Sequence, residues 1–306
     1  QNKKKGRLKM NLQKVFFETE DGVELSGLLH TNGMKTDKVV ISVHGMQSNC
    51  MKKRDDILAK NITNENIAYF CFNNRGHDLV NMITKEENGK YIKKQCGSSL
   101  ENIEDSYFDI KAAIEEMLKM GYKKIYLQGH SLGCTKIVYS YTKMKKQNEQ
   151  DILNKIQSIS LLSMVDIPVA IKFFFNNDVE KLVKYMENEK NEGRGQNVMS
   201  VPGAIIPMSP NTFLGYLKDN NEIDFARYSD ETYNFKELND IEVPLFMRWG
   251  NKNDLIMQPA EELVNMLKEK IKNKKSDIGY IEGAGHNYRT KEEELSKEII
   301  NFLKKI

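Results

Sequence analysis

Cysteine, tryptophan and proline are scarce in this chain of 306 residues, at four, one and six copies. Cys50, Cys71, Cys96 and Cys134 have neither metal-ligand spacing nor the density of a disulfide framework, so they read as free thiols of a reducing compartment. No apolar run approaches the roughly 18 residues of a membrane span. The opening QNKKKGRLKM is basic but lacks the apolar segment of a signal peptide. It also lacks an initiator Met, which leaves a removed leader open; the expected compartment is the cytoplasm. Charge of one sign is not in excess either. Lys and Arg number 46 against 43 Asp and Glu, a net charge of +3, and the acids lie among the bases. That excludes the electrostatic footprint of a nucleic-acid or anionic-membrane binder. Internal repeats and low-complexity tracts are absent.

What is present is an ordinary apolar fraction, 40%, in a chain long enough to bury a large core. Strand-like and helical segments alternate, the pattern of a mainly parallel sheet with helices on both faces. LQKVFFET (12–19) and VELSGLLHT (23–31), parted by Glu20-Asp21-Gly22, predict an antiparallel pair at one edge. KVVISVHG (38–45) is continuously apolar, as a strand buried on both faces should be. A helix near 52–61, a strand at 67–74, an amphipathic helix over 101–119, a strand at 123–130, a helix over 132–146 and a strand at 156–166 follow. The alternation breaks between Pro168 and Asp240, where two amphipathic stretches flank GRGQNVMSVPGAIIPMSP, and resumes with VPLFMRWG (243–250). About 70 residues are too many for a simple loop. The expected organisation is therefore a core domain of residues 1–167 and 241–306 interrupted by a helical cap, or lid, at 168–240.

Residues 129–133, Gly-His-Ser-Leu-Gly, place a serine between two glycines where a strand turns into a helix. At ordinary Gly and Ser usage this pentapeptide arises by accident in about one chain in ten of this length. Its meaning therefore depends on its surroundings. A serine hydroxyl needs a base to take its proton, a group to orient the base, and donors for the developing oxyanion. His286, in the loop after the last strand, is the base in the order Ser, acid, His. Asp254, after the strand at 243–250, is the preferred acid, with Asp166 as its rival. The backbone N–H groups of Met46 and Leu132 are the expected oxyanion donors, with Gly45 permitting a close approach. Among the other histidines, His77 is placed in the substrate pocket, His44 in a structural hydrogen bond, His130 in packing, and His30, near an early strand end, in a structural role. Phe173, Phe174, Phe175, Met199, Met208, Phe213 and Tyr216 would supply an apolar wall, with Phe174, Met208 and Phe213 chosen, together with Gly45 and His77, as substrate contacts.

His44-Gly45-Met46, GHSLG, Asp254 and His286 agree in order and context, and from about residue 12 onward the chain resembles the α/β-hydrolase superfamily. FNNRGHD (72–78), the helix around 104–111, LQGHSLG, SPNTFLGYL (209–217) and RWGNKNDLI further resemble the branch of fungal siderophore esterases and their bacterial relatives. In one respect the chain departs from the superfamily pattern: Asp254 lies four residues after Gly250, and Asn253 holds the commoner position. The resemblance implies an α/β-hydrolase fold and a serine esterase working through an acyl-enzyme, with no metal or organic cofactor. Its partner would be a small-molecule ester, siderophore-like or a macrocyclic lactone. Amide or thioester cleavage, acyl transfer, and a non-catalytic ligand receptor of the same fold are the alternatives. Serine at position 131 argues against dehalogenase or epoxide hydrolase chemistry, which would need Asp there. The sequence does not indicate an oligomeric state.

Overall fold

A computed structural model describes residues 10–174, 179–200, 206–217 and 223–306. In chain order, strands β1 (Asn11–Glu18), β2 (Glu24–Thr31) and β3 (Lys38–Val43) lead into helix α1 (Lys53–Thr63), then β4 (Ala68–Asn73), β5 (Asn81–Glu87) and β6 (Lys90–Cys96). Helix α2 (Ser106–Lys119), β7 (Lys124–His130), α3 (Leu132–Lys146), the single turn α4 (Gln150–Leu153) and β8 (Ile156–Leu162) follow. Then come α5 (Ile167–Phe174), α6 (Val179–Glu189), α7 (Pro210–Tyr216), α8 (Lys236–Asn239), β9 (Leu245–Gly250), α9 (Ala260–Lys270), β10 (Asp277–Ile281) and α10 (Glu292–Leu303).

Eight strands form one sheet in the order β1-β2-β4-β3-β7-β8-β9-β10, parallel from β4 to β10, with β1 and β2 antiparallel at the edge. Its apolar strands are explained by what lies on each face. Val39, Ile41 and Val43 of β3, Ile125 and Leu127 of β7, and Leu245, Met247 and Trp249 of β9 point into one core with α2, α3 and α9. The alternate residues Val40, Tyr126 and Phe246 point into a second core with α1 and α10. Each strand thus feeds two cores, so period-2 polarity is lost, as in any sheet covered on both sides. The predicted α/β-hydrolase architecture is the one found.

Two features depart from the local reading. Between β4 and α2, where no strand is predicted, β5 and β6 form a separate hairpin closed by Asn88-Gly89, both at positive φ (53° and 78°). Asn-Gly between two strands is a strong hairpin signal, because both residues tolerate the left-handed turn. The helix expected over 101–119 begins only at Ser106, after two 3-10 turns. Between β8 and β9, α5, α6 and α7 share a third apolar cluster with Leu132 and Ile103. The stretch from Phe225 onward behaves differently. Phe225, Tyr228, Phe235 and Leu238 join the main core, with Tyr228 packed edge-on against Trp249. No helix among the described residues is long and apolar enough to cross a membrane.

Candidate active site

Parallel strands present their carboxyl ends along one edge of the sheet, and every chemically suggestive loop emerges there. Ser131 follows β7 at φ 56° and ψ −126°, a strained conformation for a residue with a side chain. Its N–H donates to Leu162 O at 2.8 Å, and α3 starts at the next residue. The flanking glycines are demanded by contact. A Cβ on Gly129 would lie 2.6 Å from Gly133 O, and one on Gly133 would lie 2.2 Å from Val43 O. The turn closes only with glycine two residues before and two residues after the serine.

Ser131 Oγ stands 2.9 Å from His286 Nε2, and His286 Nδ1 stands 2.6 Å from Asp254 Oδ1. The carboxylate accepts, so Nδ1 carries the proton and Nε2 is left free to receive the serine's. Asp254 is held by further donors: Leu255 N–H to Oδ1 at 2.8 Å, and Gly250 N–H and Ser163 Oγ to Oδ2, both at 2.7 Å. Burial pushes this carboxyl's pKa up. The hydrogen bond and charge of His286, the Gly250 N–H and the Ser163 hydroxyl outweigh it and hold the group below the ordinary carboxylate value. The additional residue before Asp254 is absorbed by Asn253, in the left-handed region at φ 58°. Asp166 instead accepts the Val169 N–H at 3.1 Å, at the start of α5.

Gly45 crosses directly over the turn at Ser131. A Cβ there would sit 2.9 Å from both His130 O and Ser131 Cβ and 3.3 Å from Leu132 N. The peptide joining Gly45 to Met46 therefore runs beside the one joining Ser131 to Leu132, at the positive end of the α3 dipole. Three supporting residues were not anticipated. His130, read from sequence as packing, donates from Nε2 to His286 O at 2.8 Å. Burial first, and the nearby Arg54 charge next, keep it neutral, with its pKa well below that of a free imidazole. Ser163 and Tyr288 are the others. The Tyr288 hydroxyl donates to Arg248 O at 2.7 Å and lies 3.0 Å from Ser163 Oγ. A small polar residue ending the strand beside the acid's strand was the available signal, and it is a weak one. His44 has the structural role expected: Nδ1 donates to Gly45 O at 2.9 Å and Nε2 accepts the Asn74 N–H at 3.3 Å. Burial lowers its pKa to about 3.

A cavity of about 610 Å³ opens over Ser131 and His286. Gly45, Met46 and Leu132 border it beside Ser131. Val165, Ile167, Ala170, Ile171 and Phe174, with Ile206 and Leu255, form an apolar wall. Gln47, Lys52, Lys53, Arg54, Arg289 and Glu292 supply a polar side. Of the expected substrate contacts, Gly45 and Phe174 therefore stand at the cavity, and three do not. His77 turns away and bonds Asp78 Oδ2 through Nδ1 at 2.9 Å. Met208 and Phe213 are fully buried in the cluster of α5–α7, where the helical stripe that singled them out serves packing. Phe173 is exposed, Met199 and Tyr216 pack in the same cluster, and Phe175 lies outside the described residues.

Sheet order and helix placement define an α/β-hydrolase fold, and solved structures agree. The chain is similar to Est1E of Butyrivibrio proteoclasticus with ferulic acid bound, at 14% identity over 95% of this chain and 98% of that one, TM-score 0.61. It is similar to the α/β hydrolase GrgF of a Penicillium species (15% identity, 96% and 98% coverage, TM-score 0.64). It also resembles the esterase Pf2001 of Pyrococcus furiosus (20% identity, 97% and 92% coverage, TM-score 0.55). At these identities the likeness concerns the fold. Residues 96–305 match a family described as a protein of unknown function, DUF1749, and the chain belongs to it. No curated protein matches the sequence.

Proposed function

We propose that the protein is a serine hydrolase of carboxylic esters. One observation carries the reading: Ser131 Oγ, His286 Nε2, His286 Nδ1 and Asp254 Oδ1 form a continuous relay at 2.9 and 2.6 Å beneath a cavity. In the proposed mechanism, His286 takes the Ser131 proton as Oγ attacks the ester carbonyl, and the Met46 and Leu132 N–H groups stabilise the oxyanion. His286 returns the proton to the leaving alcohol, then activates water against the acyl-enzyme. Asp254 steadies the imidazolium formed in each step. The segment 168–240 is proposed to act as the cap that selects the substrate, with α5 supplying most of the apolar wall. Solved neighbours described as esterases favour an ester over an amide or thioester. A siderophore-like or macrocyclic lactone ester rests on the sequence resemblance alone and belongs in the substrate panel. The test is turnover of matched p-nitrophenyl ester, anilide and thioester substrates by wild type and His286→Ala. Ester hydrolysis is expected to lead and to fall by about 10⁴-fold or more in the variant. Preferred anilide or thioester cleavage, or unchanged ester hydrolysis in the variant, would contradict the proposal.

A further inference from the structure

The cavity's polar side contains donors that the reaction does not use. Arg54, in the first turn of α1, is only 7% exposed yet borders the cavity. Among the described residues its guanidinium makes one side-chain contact, Nη2 to Asp55 Oδ2 at 3.1 Å. Asp55 is already committed elsewhere, its Oδ1 accepting Ser42 Oγ at 2.9 Å and Tyr69 OH at 2.8 Å. Arg54 Nε is enclosed with no acceptor, and so is Nε2 of Gln47, another cavity residue. Guanidinium and amide donors left unpaired in a buried site are costly, and an acceptor group on a ligand removes the cost.

The surrounding charge points to the sign of that ligand. Lys52, Lys53 and Arg289 border the same side and carry no ion pair among the described residues. Glu292 is the one carboxylate on this wall; it is buried and likewise unpaired. Exposed Lys52, Lys53 and Arg289, together with the Arg54 guanidinium that Asp55 pairs, face the single cavity carboxylate Glu292 and leave this side net positive next to its apolar wall. A planar guanidinium and an amide donor bordering the same side of the cavity suit the oxygens of a carboxylate. We propose that Arg54 and Gln47 form a subsite for a carboxylate borne by the ester substrate, so that the preferred substrates are half-esters of dicarboxylic acids or esters of similar charge. This deepens the esterase reading and rests on it.

The experiment compares kcat/KM of wild type and Arg54→Gln for the p-nitrophenyl half-ester of glutaric acid and for neutral p-nitrophenyl valerate, at low and high salt. Wild type is expected to favour the half-ester by about 10- to 100-fold, the range of a charge-assisted hydrogen bond. That ratio should shrink with salt and collapse toward unity in Arg54→Gln. A wild type that treats both esters alike or prefers the neutral one overturns the subsite. So does an unchanged ratio in a folded Arg54→Gln. Where neither ester is turned over, the esterase reading fails, and calorimetric binding of glutarate and of inorganic phosphate to wild type decides the subsite separately. The same binding arm decides if Arg54→Gln does not fold. Glutarate binding that weakens with salt supports the carboxylate assignment; absent glutarate binding, or binding of phosphate in its place, overturns it.

Discussion

Asp254, the proposed acid of the triad, illustrates how much of a carboxylate's behaviour is set by its neighbours. Two lone-pair sites on Oδ2 are filled by Gly250 N–H and Ser163 Oγ, which leaves Oδ1 directed at His286. Removing one donor to an ionised carboxylate raises its pKa. Ser163→Ala should therefore move the acid-side loss of esterase activity to higher pH and lower kcat more than it raises KM. A pH–rate profile measured beside wild type checks this; an unmoved acid limb would mean that Ser163 only fills space. The sign also matters for stability. Because Asp254 is held below its unfolded pKa, its contribution is present above that value and is lost as pH falls through the folded pKa.

Among the elements, α3 does more than follow Ser131. Its Lys136 is fully buried, paired with Glu101 and donating to Asn74 Oδ1 at 3.1 Å. Glu101 also accepts from the Tyr216 hydroxyl of α7 at 3.4 Å. One buried ion pair thus ties α3 to the segment before α2 and to α7. Lys136→Met would leave Glu101 enclosed without its counter-ion, at a cost of about 3–5 kcal/mol. Denaturant unfolding should show that loss, and adding Glu101→Gln to the variant should recover part of it. A loss under about 1 kcal/mol would show the pair to be dispensable. Glu101 and Lys136 were not visible as partners in the sequence, since nothing local distinguishes a buried lysine from the many solvated ones.

For the molecule as a whole, the sequence was most legible where a pattern is local. Continuous apolar strands, the Gly-bounded serine and the order Ser131, Asp254, His286 were read from short segments, and the same groups meet at the sheet's carboxyl edge. The rest depends on contacts between distant segments. His130 bonds the carbonyl of His286 across 156 positions, and Met208 and Phe213 carry the periodicity of a pocket wall while packing inward. Periodicity reports that a face is buried, not what buries it. The cavity wall comes instead from α5, whose apolar residues follow directly on β8. The Asn88-Gly89 hairpin was legible in principle, since its turn chemistry is local.

The central claim is that Ser131 is activated by His286 and Asp254. Treatment with a fluorophosphonate, followed by peptide mass mapping, tests it without any assumption about substrate. The account predicts one stoichiometric adduct, on Ser131, absent from Ser131→Ala and formed far more slowly in His286→Ala. No adduct on the wild type, or equal labelling of Ser131→Ala, would contradict it.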